Sequence, residues 1–437
     1  MEWYEAGSVL IGSIVVLMAL GFPVAFSFMI TNVMGIFVFS NGWMNLIQIV
    51  DNSTNLITTF TLVPIPMFIL MGSLFFHTGL AVRVFDALDT LLGRLPGRLC
   101  YLTVLGGSLF STLTGSTMAN TAMLGSLLVP EMQRRGYSRH MSMGPILGTG
   151  GLAMIIPPSS LGVLLASIAN VDVGRLLVAG LIPGFVLAGL YAAMITLQLK
   201  LNPAGAPTYE VEPTTWGAKL FQVCVHILPM GLVVFMVVGF IVLGWATPSE
   251  SASFGVLGVL FLAVLFRRLT WEAVRTSLMS TVRTAGMVFF ILMNSTVFSQ
   301  LLALSGASQG MLDWATGFDV GPYVILAIMF GVLLLLGMFM DPVSMMLITV
   351  PIFYPLAHTL GFDPVWFSLV VLIALEMSQT TPPFGLLLFI MLGMAPRGTT
   401  LIQVASAAAP FLLCDLILVL IMVAVPALAL FLPGLMS

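Results

Sequence analysis

Charge is what this chain has least of. Only 7% of its 437 residues are Asp, Glu, Lys or Arg, against about a quarter in soluble proteins, so a water-soluble globule is excluded. The 14 basic and 17 acidic residues leave a net charge of −3, which offers neither a nucleic-acid surface nor a polybasic lipid patch. Cysteine is almost missing: Cys100, Cys224 and Cys414 stand in apolar sequence, with neither metal-ligand spacing nor a disulfide pattern. All three are expected as small buried residues. The four histidines, His77, His140, His226 and His358, are scattered, and no His-Glu-x-x-His run, Gly-x-Ser-x-Gly elbow or Walker loop occurs. Neither an enzyme nor an ATP-driven motor is expected.

What remains is apolar length. The chain is 59% hydrophobic with a mean hydropathy of +1.13. Uncharged runs such as Ala6–Val50, Leu99–Pro130, Met141–Val171 and Leu220–Ser249 exceed the roughly 20 apolar residues that cross a bilayer as helix. The composition predicts an all-α polytopic membrane protein with roughly ten or more crossings. The N-terminal "MEWYEAGSVL" has no basic region and no small-residue cleavage site, so the run that follows is expected to be a retained membrane segment.

Because basic residues are sparse, each cluster marks a side of the membrane. Arg83, Arg94 and Arg98 precede Leu99–Pro130, and Arg134, Arg135 and Arg139 follow it. Both ends want the cytoplasm, and 32 residues are too few for a crossing and a return. The segment is therefore expected as a re-entrant hairpin with its tip in the Gly-, Ser- and Thr-rich stretch Gly106–Asn120. In the second half, Gly317–Leu360 holds Asp319 and no Lys or Arg, with Asp363 just beyond. Its ends look periplasmic, and its middle is broken by "GMFMDPVS" at Gly337–Ser344. Lys200, Lys219 and the linker Leu201–Trp216 look cytoplasmic, as does Leu269–Gly286, which can lie along the interface as an amphipathic helix. Arg175 does not fit this scheme.

Two diproline breaks follow the two tips at nearly equal distance. Gly115 to Pro157 is 42 residues and Asp341 to Pro382 is 41, which predicts an inverted-topology repeat with discontinuous helices around a midplane site. In the first break, "GTGGLAMIIPPSS" at Gly148–Ser160, prolines end the helical ladder and Ser159 and Ser160 add hydroxyls beside the freed carbonyls. Ser111, Thr114, Gly115, Ser116 and Asn120 of the tip would stand opposite; such oxygens suit an alkali cation, the alternative being packing and kinking alone. The second break, "EMSQTTPPFG" at Glu376–Gly385, offers Thr380, Thr381 and Pro382. Glu376 is a functional candidate as a membrane acid, against a hydrogen-bonded structural acid at the outer interface. Asp341 binds a cation, accepts a proton or caps a broken helix.

The "IIPPSS" and "TTPPFG" breaks, the "TLTGST" tip and "DPVSMMLITVPIFYP" at Asp341–Pro355 resemble the large membrane subunit, M or DctM-type, of tripartite ATP-independent periplasmic (TRAP) transporters. The resemblance runs over essentially the whole chain. It implies an elevator-type fold: scaffold helices in 1–82, a first transport region in 83–200 (hairpin 99–130, broken helix 143–170), linkers and scaffold in 201–283, a second transport region in 284–397 (hairpin 320–357, broken helix 364–395), and a membrane segment in 398–437. It implies Na+-coupled uptake of an organic acid anion across the bacterial inner membrane. A small Q-type membrane subunit, separate because no four-helix extension is evident, and a periplasmic P-type binding protein would be the partners. Two or more Na+ ions would draw on Ser111, Thr114, Gly151, Ile155 and Pro157 at one site, and on Gly337, Asp341, Thr380, Thr381 and Pro382 at the other. Substrate would lie near Thr114, Gly115, Ser116, Asp341 and Ser344. The alternatives are a carrier that needs no binding protein, coupled to sodium or protons, and a non-transporting assembly subunit.

Overall fold

The structure is a computed structural model that describes residues 2–40, 47, 51, 54, 58–93, 95–207, 216–317 and 320–436. Arg94, Asp319 and residues 208–215 of the linker lie outside the described residues. Among the described residues every regular element is a helix. The N-terminal pair is α1 (Trp3–Ala19) and α2 (Val24–Phe39). Next come α3 (Pro64–His77) and α4 (Leu80–Leu92), bent by 68° at Gly79.

The first hairpin is α5 (Arg98–Thr114) and α6 (Thr117–Arg134). Its chain reverses at Gly115, where φ is +57°, a backbone state that glycine alone adopts without steric cost. Ser116 then caps α6, its Oγ accepting from the Ala119 amide at 3.4 Å. The broken helix that follows is α7 (Arg139–Ile155) and α8 (Ser160–Ala169), bent by 43°. α7 stops at Ile156, which is extended as a residue before proline must tend to be. Then come α9 (Val173–Ala179), α10 (Leu181–Leu201), α11 (Lys219–Val242) and α12 (Pro248–Leu265).

The second half opens with α13 (Trp271–Leu304) and α14 (Ala307–Thr316). Trp271 and Leu278, on the amphipathic stretch, are exposed, and α13 runs on from there without interruption. The second hairpin is α15 (Pro322–Gly337) and α16 (Pro342–Thr359); the second broken helix is α17 (Pro364–Gln379) and α18 (Leu386–Met394). α19 (Leu401–Ala424) and α20 (Ala427–Gly434) close the chain. Both halves thus run hairpin, broken helix, long helix.

α7 and α17 form the centre. Every residue from Met141 to Ile155 and from Val365 to Gln379 is buried, as expected for helices that are apolar all round. α7 packs against α5, α6, α10, α17 and α19. A second apolar cluster joins α1 and α2 to the C-terminal half of α13, α14 and Leu347 and Ile348 of α16. Asn32 ties α2 to α13 there, donating to the Asn294 carbonyl at 2.8 Å.

Among the described residues six helices are long and apolar enough to cross a membrane, or eight if each bent pair counts as one span, and four further apolar helices are shorter. Cys224 is exposed rather than buried, since α11 lies at the periphery. Several charges taken as topological markers also have local work. Arg98 is buried and paired with Asp89 at 2.8 Å. Arg134 and Arg135 bind Glu131 at 2.8 and 2.5 Å. Desolvation pushes the Glu131 carboxyl up, but those two hydrogen-bonded arginines outweigh it and hold it below its ordinary range. Asp363 caps α17, its Oδ1 accepting from the Val365 and Trp366 amides at 2.8 and 3.0 Å.

Candidate functional site: two helix breaks against two hairpin tips

The first tip and the first break touch. Ser160 Oγ donates to the Gly115 carbonyl at 2.6 Å, and a Cβ on Gly115 would stand 2.9 Å from the Pro158 carbonyl oxygen. On the other side the Thr114 backbone presses on Gly72 of α3, where a Cβ would meet the Thr114 oxygen at 2.6 Å. The Thr114 hydroxyl serves its own helix, donating to Phe110 O at 2.8 Å. Behind the tip Asn120 Nδ2 donates to Ser111 Oγ at 3.0 Å and reaches Gly107 O and Thr149 O at 3.4 Å. Asn120 Oδ1 is buried with no partner among the described residues. Pro157 is buried and joined to Pro158 by a cis bond. Ser159 caps α8, its Oγ accepting from the Gly162 amide at 3.0 Å. The Ile155 carbonyl faces Gly180, where a Cβ would meet it at 2.1 Å.

At the second tip Asp341 is a helix cap. Its Oδ2 accepts from the Val343 and Ser344 amides at 3.0 and 3.2 Å, and Ser344 Oγ donates to its Oδ1. Gly337, at the end of α15, admits Ser378 of α17: a Cβ there would lie 2.1 Å from Ser378 Cβ. In the break, Thr380 and Thr381 both donate to Met377 O, at 3.0 and 2.7 Å. Pro382 is exposed and joined to Pro383 by a cis bond. The Gln379 and Thr381 carbonyls converge on Gly385, 2.4 and 2.8 Å from where its Cβ would be.

The two halves meet at the breaks. Glu376 is fully buried against Gly151, where a Cβ would fall 1.7 Å from its Oε1. Among the described residues neither carboxylate oxygen has a hydrogen-bond partner. Three residues on, Gln379 accepts at Oε1 from Thr117 Oγ1 of the first tip at 3.5 Å, and its Nε2 approaches Met154 Sδ at 3.8 Å. The second break is thereby joined to both the first break and the first tip.

Two cavities flank this centre. The larger, about 1280 Å³, is walled mainly by apolar side chains of α5 and α10, with Lys200 among its lining. The smaller, about 520 Å³, lies among α8, α13 and α16 and is lined by Asn170, Ser295, Ser299, Gln300, Tyr354 and His358, among others. Ser295 Oγ is buried without a partner. None of Thr114, Gly115, Ser116, Asp341 and Ser344 lines this polar cavity. Gln379 and the polar face of α13 were not singled out from the sequence. Nor was Asp415, although a lone acid in the apolar run Leu401–Leu432 is itself a signal.

The sequence pattern of the DctM family, described as "Tripartite ATP-independent periplasmic transporter, DctM component", matches residues 11–428. The chain is 30% identical to the C4-dicarboxylate TRAP transporter large permease protein DctM of Rhodobacter capsulatus, over 98% of this chain and 99% of that one. It is 26% identical to the ectoine TRAP transporter large permease protein TeaC of Halomonas elongata, over 97% and 98%. With the sialic acid TRAP transporter large permease protein SiaM of Vibrio cholerae it shares 29% identity over 76% and 77%. Among solved structures, the YdaH transporter of Alcanivorax borkumensis superposes with a TM-score of 0.62 at 15% identity, covering 90% of this chain and 88% of that one. MtrF of Neisseria gonorrhoeae gives 0.58 at 14%, covering 88% and 85%. These two speak for the fold alone. The chain belongs to the DctM family of large TRAP-transporter permease components.

Proposed function

We propose that this DctM-family chain carries an organic acid anion across the bacterial inner membrane, coupled to Na+, by an elevator movement. A periplasmic binding protein delivers the anion, and a small membrane subunit completes the permease. The single observation that carries this reading is the junction of the two breaks, Glu376 on Gly151 and Gln379 on Thr117 and Met154. Two tip-and-break units that share one buried junction are suited to move as a unit. Long α13, with α1, α2 and α3, supplies a separate surface to move against.

For the cation, the first site offers the unpartnered Asn120 Oδ1, Ser111 Oγ and the carbonyls near Asn120, an oxygen set that suits a hard monovalent ion. At the second site the Asp341 and threonine oxygens are already engaged. A cation there would use the Gln379 and Thr381 carbonyls beside Gly385. For the anion, Asn170, Ser295, Ser299 and Gln300 of the smaller cavity supply neutral hydrogen-bond donors. C4-dicarboxylate, ectoine and sialic acid, carried by the relatives' named systems, set the range of acids to try first.

The test is uptake into proteoliposomes that hold the chain and its small membrane partner, with loaded binding protein outside. An inward Na+ gradient is expected to drive accumulation, and accumulation is expected to vanish without the gradient or the binding protein. Uphill accumulation without any ion gradient overturns the coupling. Full uptake by this chain alone replaces the reading with a self-sufficient carrier.

A further inference from the structure

The larger cavity, about 1280 Å³, takes no part in the site described above, and Lys200 is the one charged side chain among the described residues that line it. The hydroxyls in its walls are all engaged. Ser108 Oγ donates to Val104 O at 2.7 Å and Thr112 Oγ1 to Leu109 O at 2.6 Å. Thr196 Oγ1 donates to Ala192 O at 2.7 Å and meets the Tyr101 hydroxyl at 2.8 Å. A small organic anion between these walls would give up its water and gain no side-chain donor beyond Lys200 at one end. The walls suit hydrocarbon. Their floor is Ala188, Gly189 and Ala192 on α10, and a Cβ on Gly189 would meet nothing within 4 Å.

The length of the cavity is that of one leaflet. Its lining runs along α5 from Tyr101 to Thr112 and along α10 from Thr196 back to Phe185. At 1.5 Å per residue each wall is about 17 Å long, against about 15 Å for half of a bilayer's hydrocarbon core and about 30 Å for a crossing helix. Thr112 and Ile156 mark the inner end, at the first break. Lys200 stands one turn beyond Thr196 at the other end, level with the base of the hairpin, where a Cβ on Gly97 would lie 2.6 Å from Leu199 Cδ1. Arg134 and Arg135 at the end of α6 bias that end to the cytoplasm. Arg98 at the same level is held by Asp89 at 2.8 Å. Lys200 is exposed and forms no ion pair with a described residue.

We propose that this cavity binds one anionic phospholipid of the cytoplasmic leaflet, with its acyl chains between α5 and α10 and its phosphate on Lys200. The apolar walls supply the depth, and the lysine selects the headgroup. A partner's transmembrane helix fits less well, because the cavity ends where such a helix would be half-way across. Leu88 and Leu92 of α4 and Val234 of α11 also line the space, so the lipid fills the gap between the first hairpin and the helices outside it. The inference rests on the chain's place in a membrane and not on the transport proposed above.

Native mass spectrometry of the purified full chain with its membrane partner, titrated with phosphatidylglycerol or phosphatidylcholine, tests the site. One phosphatidylglycerol is expected to be retained, about fivefold more tightly than phosphatidylcholine. Lys200→Gln is expected to abolish that preference and keep the lipid. Gly189→Trp fills open space and replaces a poor helix former; it is expected to lose lipid of either kind. Equal retention of the two lipids by the wild type overturns the headgroup assignment, and retention unchanged in Gly189→Trp overturns the cavity. A second measurement decides if Gly189→Trp fails to fold. In native membranes, photoreactive benzoylphenylalanine in place of Phe185, an exposed lining residue, is expected to form adducts enriched in phosphatidylglycerol over its share of the membrane lipids. Adducts in the proportions of the bulk lipids, or an adduct with the small membrane subunit, overturn the proposal.

Discussion

The two tip-and-break units use the same sequence device and end in different surroundings. In the first unit every residue from Gly151 to Ser159 is buried, and the tip is clasped by Ser160 on one side and Gly72 on the other. In the second, Pro382, Pro383 and Phe384 are exposed, and the Phe384 ring meets exposed Phe339 at 5.8 Å. Each tip has its own cap, Ser116 and Asp341, but in the first a neighbour, Ser160, also reaches across to the tip carbonyl. A repeated motif fixes where backbone is freed from the helical ladder. What closes around that backbone is decided by the rest of the chain.

The largest effect is expected where the two units touch. Gly151→Ala would place a methyl 1.7 Å from Glu376 Oε1 in a fully buried contact. Overpacking of this kind costs about 1–3 kcal/mol and more when backbone must shift. Thermal unfolding in detergent should fall clearly and uptake should be lost; unchanged melting and uptake would remove the junction from the account. Gly115→Ala comes next, since an L-residue at φ +57° costs about 1–2 kcal/mol and the methyl would crowd Pro158 O.

At the second tip the contrast is between two replacements of one residue. Asp341→Ala removes the cap and should cost about 1 kcal/mol, while Asp341→Asn keeps a capping oxygen and should lose much less. If Asp341→Asn melts like the wild type and yet transports nothing, Asp341 is a ligand and the self-capped description of that tip fails. The smallest effects separate cross-unit from local bonds. Ser160→Ala deletes a 2.6 Å bond to Gly115 O, worth about 1 kcal/mol. Thr381→Ala deletes only a bond to its own helix and should change melting by less. A larger effect for Thr381 would reverse the order of the two units.

Much of this was legible in the sequence where a residue has one strong chemical reason to be there. Diprolines and Gly-rich tips announce freed backbone, and their equal spacing announces the repeat. The hairpin arms extend to 98–134 and 322–359, against expected bounds of 99–130 and 320–357. Asp363 was read as a topological marker when its spacing before Pro364 also fits a cap. The contacts that build the junction were out of reach: Thr117 and Gln379 are 262 residues apart, Met154 and Gln379 225. Only Glu376, as an acid inside an apolar helix, pointed that way.

The central claim is that the halves enter the membrane from opposite sides. Gln133 and Thr359 are exposed at the open ends of the two hairpins, and exposed Cys224 can be replaced by Ser to leave only the buried Cys100 and Cys414. Single cysteines at Gln133 and Thr359 should react with a membrane-impermeant maleimide from opposite faces, Thr359→Cys in intact cells and Gln133→Cys only in inverted vesicles. Labelling of both from the same face would contradict the inverted repeat and the account built on it.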